Sequence, residues 1–170
     1  MPTLRRRWLH AAVQLGLVTA LSACGFTWRG SGPVTPIPSV AVRAPAQASV
    51  AQALRVRLGQ VTQVLDADAK VPSPALIIDW LDEKHERVVV GTNSAGQVRE
   101  LELRTRIRWA VRDGQGETVM PVAELEQRRY LSYSEVAALA KETEEELLRK
   151  DMEVELVQQV LQRLQTLRLR

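Results

Sequence analysis

The sequence predicts an α+β fold: a two-layer sandwich in which two helices pack on one face of a four-stranded, mostly antiparallel sheet. Three observations lead to this prediction. Apolar and polar residues alternate along 98–112, as in a strand with one buried face. No Gly or Pro occurs from Val136 to Leu167, where apolar residues recur every three or four positions, as in an amphipathic helix. The elements follow the order strand, helix, three strands, helix.

The first part of the domain contains one strand and one helix. Residues 39–44 are short, β-branched and alternating, which predicts a strand. Ser49 and Gln52 have the spacing of a capping box, and the apolar positions that follow predict a helix over about 48–60. Residues 62–74, with their Asp and Pro residues, are predicted to be a connection.

Three long strands are predicted next, over residues 75–92, 98–112 and 118–133. The short polar segments between them, which contain Gly96 and Gly116, predict two hairpin turns. Pro121 near the start of the third long strand predicts an edge position or a bulge, because Pro cannot donate to a ladder.

The strand over 98–112 has two unlike faces. Its odd face is apolar and is predicted to lie under the helices; it carries Leu101, Leu103, Thr105, Ile107, Trp109 and Val111. The even face presents a row of arginines, Arg104, Arg106 and Arg108, about 7 Å apart. Guanidinium groups suit bidentate contact with phosphates or carboxylates. The row therefore indicates either an anion-binding face or a solvated face paired with Glu124 and Glu126 of the next strand.

The C-terminal helix is predicted to begin at a second capping box, Ser132 and Glu135. Its first half is acidic and its end is basic, which suits the helix dipole. The run Glu144–Glu146 fans around the helix, so these carboxylates are expected to face solvent.

The N-terminus has the order of a secretory signal. Arg5–Arg7 precede an apolar run that ends at Leu21, and small residues precede Cys24, the only cysteine. This predicts a lipoprotein signal peptide over 1–23, lipidation at Cys24 and a flexible tether over 24–38. The alternatives are a membrane anchor helix, for which the run is short, and a short buried helix.

Removal of the predicted signal changes the charge of the chain. The whole sequence carries a formal net charge of +3. Because the signal contains three arginines and no acid, the remaining chain has equal numbers of basic and acidic residues. Nucleic acid is therefore not expected to be a partner.

The sequence offers no candidate catalytic centre. Apart from His10 in the signal, His85 is the only histidine, and it lies in a polar run that predicts a solvated residue. No phosphate-binding loop, zinc-protease motif or nucleophile elbow occurs. A lone cysteine cannot form an intrachain disulfide or by itself a four-ligand metal site. The prediction is a protein that is not an enzyme and has no cofactor and no metal.

Several motifs together resemble one family. They are the segment CGFTWRG at 24–30, the GQ pair before the alternating strand, AELEQRRYLSY at 123–133, AALAKE at 137–142, and DM followed by VQQVLQRL at 157–164. Their order and spacing resemble the lipopolysaccharide-assembly lipoprotein family, LptE. The resemblance implies a plug inside the large outer-membrane β-barrel LptD, which aids barrel assembly and binds lipopolysaccharide.

The resemblance also implies where the protein and its ligand lie. Gly25 in place of Asp favours the outer membrane, with the domain facing the periplasm and the barrel lumen. The possible lipopolysaccharide-binding residues are Arg99, Arg104, Arg106, Arg108, Arg128 and Lys141. Two other classes stay open: a structural or envelope lipoprotein that binds anionic lipid or glycan, and a cell-envelope hydrolase, for which no carboxylate pair is evident.

Overall fold

The fold is a mixed sheet with two helices on one face, seen in a computed structural model that describes residues 39–66 and 75–167. The strands are β1 (Ser39–Arg43), β2 (Val64–Leu65), β3 (Ala75–Thr92), β4 (Val98–Asp113) and β5 (Thr118–Ser132). The helices are α1 (Ser49–Leu58) and α2 (Ala138–Thr166), the second preceded by a 3-10 turn, Glu135–Ala137. The predicted signal and tether, with Cys24, lie outside the described residues.

The α+β class and the helix positions agree with the prediction, but the strand count does not. The described sheet has five strands in the order β2-β1-β3-β4-β5. β1 runs parallel to both β2 and β3, whereas β3, β4 and β5 are antiparallel. The extra strand, β2, lies in the segment predicted to be a connection. Two residues are too few to show a periodic pattern, so only their pairing with Val40 and Ala41 reveals them.

The main core lies between the sheet and the helices. The odd residues of β4 are buried as predicted, and Leu103, Ile107 and Trp109 have no exposed surface. Ile107 and Trp109 belong to one core cluster with apolar side chains of α1 and α2, among them Leu54, Leu156 and Val160. Because these side chains are apolar, their burial is the main stabilising contribution.

The two hairpin turns have the same construction. Asn93 Oδ1 accepts from the backbone N–H groups of Ala95 and Gln97 at 3.0 and 2.9 Å. Asp113 Oδ1 does the same for the corresponding residues of the second turn. Gly96 and Gly116 have φ of 78° and 93°, which other residues rarely adopt. Both predicted turns are therefore confirmed.

Five register shifts interrupt the long strands, three between β3 and β4 and two between β4 and β5. Leu81 is an extra residue of β3 between the pairs Trp80–Trp109 and Asp82–Arg108. β5, the edge strand, has an extra residue opposite Ala110, next to Pro121. The prediction of an edge position or a bulge at Pro121 is confirmed, since the strand has both. Each extra residue changes which face the following side chains occupy.

The predicted capping boxes are wrong. Helix α1 begins after Ala48, which provides no side-chain cap. Its first turn finds a tertiary acceptor instead: Glu83 Oε1 on β3 accepts from the backbone N–H of Val50 at 3.1 Å and from the hydroxyl of Ser49 at 3.3 Å. Helix α2 begins after Ala137, also without a side-chain cap. A local spacing rule cannot detect an acceptor that arrives from another strand.

The carboxylate of Glu83 has four donors. Besides the two at α1, Trp80 Nε1 donates to Oε2 at 2.9 Å and His85 Nε2 lies 3.0 Å from Oε1. Only 4% of the side chain is exposed. Burial alone would raise the pKa of Glu83, but the hydrogen bonds from His85, Val50 and Trp80 outweigh it and hold the pKa below its ordinary value. Glu83 is therefore a charged clamp between β3 and α1.

We expect Glu83→Ala to lower the free energy of unfolding by about 2 kcal/mol at pH 7, because buried donors lose a charged acceptor. The depressed pKa means that the contribution is fully present above the unfolded pKa, near 4.5, and is lost as the pH falls through the lower folded value. Urea unfolding followed by circular dichroism between pH 7 and 3 should show that the difference in free energy of unfolding between the wild-type chain and the variant shrinks as the pH falls. Glu117→Ala, in an exposed turn, is the control; an equal, pH-independent effect of both changes would contradict the clamp.

Candidate functional site

The sheet surface opposite the helices, here called the arginine face, carries most of the predicted site. Its rows align Arg104 with Glu86 and Arg128, Arg106 with Lys84 and Glu126, and Arg108 with Asp82 and Glu124. The bases of this face are Arg43, Lys84, Arg104, Arg106, Arg108, Arg112 and Arg128. Its acids are Asp79, Asp82, Glu86, Glu100, Glu102, Glu124 and Glu126. The acids equal the bases in number, so the described part of this face has no net positive charge.

Arg104 is surrounded by carboxylates. Its guanidinium lies 2.6 Å from Glu102, 3.5 Å from Glu86 and 3.9 Å from Glu126. The hydrogen bond from Arg104 holds the pKa of Glu102 below its ordinary value. An approaching anion would therefore have to compete with three carboxylates for this arginine.

The neighbouring arginines share the same acids. Arg106 lies 3.6 Å from Glu86 and 3.9 Å from Glu126, and Arg128 also contacts Glu126. Glu126 thus lies within 4 Å of three guanidinium groups. Arg112 forms a separate bidentate pair with Asp79, at 2.6 and 2.9 Å. We call the group of Glu86, Glu102, Glu126, Arg104, Arg106 and Arg128 the ion-pair lattice.

The sequence left two alternatives for the arginine row, an anion-binding face or a solvated face paired with Glu124 and Glu126. The lattice corresponds to the second alternative, with one difference. Glu126 pairs with the arginines, whereas Glu124 forms no ion pair within 4 Å among the described residues. Arg108, between Glu124 and Asp82, is exposed and likewise has no ion-pair partner within 4 Å in the described part of the chain.

Arg99 and Lys141 lie at one end of the sheet, away from the lattice. We call this the hairpin end: the β3–β4 turn with the segment that links β5 to α2. Arg99 is exposed, and its only side-chain partner in the described structure is the amide of Gln97, at 3.4 Å. Lys141 Nζ donates to Ser132 Oγ at 3.0 Å and contacts Glu144 at 2.7 Å.

Backbone contacts bring these two bases to the same place. Ser132 pairs with Glu100, and Tyr133 N donates to the carbonyl of Arg99 at 2.8 Å. The linking segment therefore runs beside Arg99 and delivers Lys141 on the first turn of α2. The structure thus divides the six predicted bases: Arg104, Arg106 and Arg128 lie in the lattice, Arg108 beside it, and Arg99 and Lys141 at the hairpin end.

Sequence reasoning missed the ion pairs between sheet and helix. Arg129 Nη2 lies 3.0 Å from Asp151 and also contacts Glu155. Arg87 lies 3.4 Å from Glu145 and 5.5 Å from the ring centre of Tyr133. The expectation that Glu145 faces solvent is wrong, since only 17% of its side chain is exposed. The sequence did contain a signal for these pairs. Two strands carry bases on the side that faces the helices, and the first half of α2 is acidic.

The remaining polar groups offer little chemistry. His85 is partly exposed, as predicted, although its Nδ1 lies 3.1 Å from Thr105 Oγ1 and its Nε2 contacts Glu83. Within residues 39–66 and 75–167, no group of three His, Cys, Asp or Glu side chains is placed to hold a metal ion. None of the helices in those ranges is long and apolar enough to cross a membrane.

Comparison with known proteins gives a family and several similar structures. The family model described as LptE, lipopolysaccharide-assembly, matches residues 34–164. A solution structure of an uncharacterized lipoprotein B from Nitrosomonas europaea is 29% identical, with a TM-score of 0.66 over 81% of this chain and 88% of that one. The rare lipoprotein B of Shewanella oneidensis is 25% identical, with a TM-score of 0.60 over 73% and 91%. No curated protein sequence matches the chain.

A further solved structure supports the fold alone. The minor lipoprotein from Acinetobacter baumannii is 18% identical, and the match covers 75% of this chain and 90% of that one with a TM-score of 0.60.

Glu126→Gln should lower the free energy of unfolding by about 0.5–1 kcal/mol, since a partly exposed acid loses its pairing with three arginines. Glu124→Gln makes the same chemical change on the same strand at a site without an ion pair, and its effect should be smaller. Urea unfolding of both variants at low and high salt measures the difference, which should shrink as salt screens the lattice. Equal effects at every salt concentration would mean that the lattice does not stabilise the sheet.

Proposed function

Because the chain belongs to the LptE family of lipopolysaccharide-assembly proteins, we propose that it is an outer-membrane lipoprotein that acts with a large β-barrel partner to deliver lipopolysaccharide to the cell surface. The family match over residues 34–164 is the observation that carries this proposal. The role is binding and assembly without catalysis, and the absence of an evident catalytic motif in the sequence is in keeping with it.

The proposed membrane attachment is a lipid on Cys24. The residues before it have the order of a lipoprotein signal, and Gly25 in place of Asp favours the outer membrane. The two lipoprotein B structures, at 25% and 29% identity, support the lipoprotein class. Several acyl chains on one cysteine give stable anchoring, whereas one chain binds only marginally.

The proposed partner is a barrel of the LptD type, with this domain as a plug that faces the periplasm and the barrel lumen. Family membership supports this proposal. The ion-pair lattice is also suited to such a surface, because a face with internally paired charges can lie against a polar wall without leaving a buried charge unpaired.

The proposed ligand is lipopolysaccharide, whose lipid A phosphates would meet basic side chains. Arg99 leads the candidates because its side-chain partner in the described structure is an uncharged amide, and Lys141 follows because it lies at the same end and has one anionic partner, Glu144. Arg108 follows, since it is exposed and has no ion pair within 4 Å in the described ranges. Arg104, Arg106 and Arg128 complete the set, but each must exchange a carboxylate for a phosphate.

The partner and the anchor can be tested in one experiment. A photo-crosslinking residue in place of Ser94, at the exposed hairpin turn, should yield an adduct with a large outer-membrane barrel protein in native membranes. Mass spectrometry of the purified adduct should show this chain beginning at a lipid-bearing Cys24. A complete pool of barrel-free protein with an unmodified Cys24 would contradict the proposal.

For lipopolysaccharide binding, Arg99→Glu with Lys141→Glu should weaken affinity at least tenfold, because both bases at the hairpin end become acids; tenfold corresponds to about 1.4 kcal/mol. Titration of the membrane-purified protein with lipopolysaccharide measures the change. Arg57→Glu with Lys150→Glu alters the net charge equally on the exposed helix layer and should have little effect. Arg104→Glu with Arg106→Glu should fall between the two, and a loss confined to that pair would place the site on the arginine face.

A further inference from the structure

The hairpin end concentrates exposed apolar side chains. Val136 is fully exposed, Leu139 is 80% exposed and Tyr130 is 60% exposed. They are joined there by Val88, Val89 and Val90 of β3, which are 38–51% exposed. We call these six residues the apolar tip. Large apolar side chains clustered on a surface mark a place that something else covers.

The opposite end of the sheet provides an internal comparison. The two turns have the same construction, and their own residues, 93–97 and 113–117, are mostly polar at both ends. The difference lies in the residues beside the turns. Among the described residues, the strands near the second turn expose two large apolar side chains, Leu81 and Val122, whereas six are exposed at the hairpin end, which also carries Arg99 and Lys141.

A small depression lies beside the apolar tip. It is lined by Gln97, Val98, Arg99, Ser134 and Val136 and has a volume of about 80 Å³. Ligand pockets are usually about 300 Å³ or larger, so this one cannot enclose a ligand. Residues of the tip lie on both faces of the sheet. Val89 pairs with buried Leu101 and so lies on the helix face, whereas Val88 and Tyr130 pair with Glu102 and lie on the arginine face. A flexible apolar molecule that spreads over the end can cover both faces.

We propose that the apolar tip binds the acyl chains of lipopolysaccharide while Arg99 and Lys141 bind its phosphates, so that the protein recognises the ligand as an amphiphile. The inference rests on the proposed function and adds to it the hydrophobic half of the ligand. Val98 and Val136 lie beside Arg99 in the same depression, which places apolar contact next to the cation. Lipopolysaccharide likewise carries phosphates next to acyl chains in one molecule. This match between ligand and surface is the reason for choosing it as the occupant of the tip.

The test compares lipopolysaccharide with its fully deacylated, still phosphorylated derivative, using protein purified from membranes into nanodiscs. The wild-type chain should bind the acylated form at least tenfold more tightly. Val136→Asp with Leu139→Asp should remove most of that preference and leave the affinity for the deacylated derivative unchanged. Arg99→Gln with Lys141→Gln should weaken both ligands.

The matched control is Val61→Asp with Val122→Asp, which places the same charges on valines away from the hairpin end, 64% and 53% exposed. These changes should not alter the acyl preference. Circular dichroism and urea unfolding establish that both double variants are folded; should the tip variant unfold, Val136→Ser with Leu139→Ser repeats the test.

The outcomes separate the two proposals. Equal affinity of the wild-type chain for the two ligands, or an equal loss in the tip and control variants, overturns the apolar tip as an acyl-chain site but leaves lipopolysaccharide binding intact. Failure of the wild-type chain to bind either ligand overturns both this inference and the binding role in the proposed function.

Discussion

The strict alternation of β4 is the constraint on which the rest of the structure depends. Its odd residues from Leu101 to Val111 are buried in the core, and its even residues supply two of the three arginines of the lattice. A slip of one residue would place Arg104 and Arg106 beneath α2 and expose Trp109. Because a buried unpaired charge costs several kcal/mol, the register is fixed from both faces at once.

The same constraint explains why the irregularities lie where they do. Leu81 is an extra residue in β3, so that Asp82 pairs with exposed Arg108 and Glu83 pairs with buried Ile107. The extra residue therefore places Glu83 on the helix side of the sheet. That carboxylate then accepts from the first turn of α1 and from Trp80. A local bulge therefore positions a helix, because it decides which side of the sheet a buried acid occupies.

The parts of the fold that sequence could predict are those with a local cause. The alternation in β4, the glycines of the two turns and the spacing along α2 each act within a few residues. The five-strand count, the real cap of α1 and the lattice depend on register between strands. Glu86 and Glu126 meet Arg104 only after three strands align, and Glu145 meets Arg87 only after α2 docks. For the same reason the row of arginines suggested a positive face, whereas the aligned neighbours make it neutral.

Neutrality of the arginine face has a consequence for recognition. A phosphate that approaches Arg104 gains one charged contact and displaces another, the carboxylate of Glu102 at 2.6 Å, so the exchange yields little net affinity. At the hairpin end Arg99 would exchange only an amide at 3.4 Å, and in the proposed complex the apolar side chains beside it would help to exclude water from the contact. Lower local polarity strengthens a charge pair. In the proposed site the apolar tip would therefore strengthen the contact of each base with the phosphate of a ligand that also carries acyl chains, and not with a free phosphate. Such a site would select an amphiphile without an enclosed pocket.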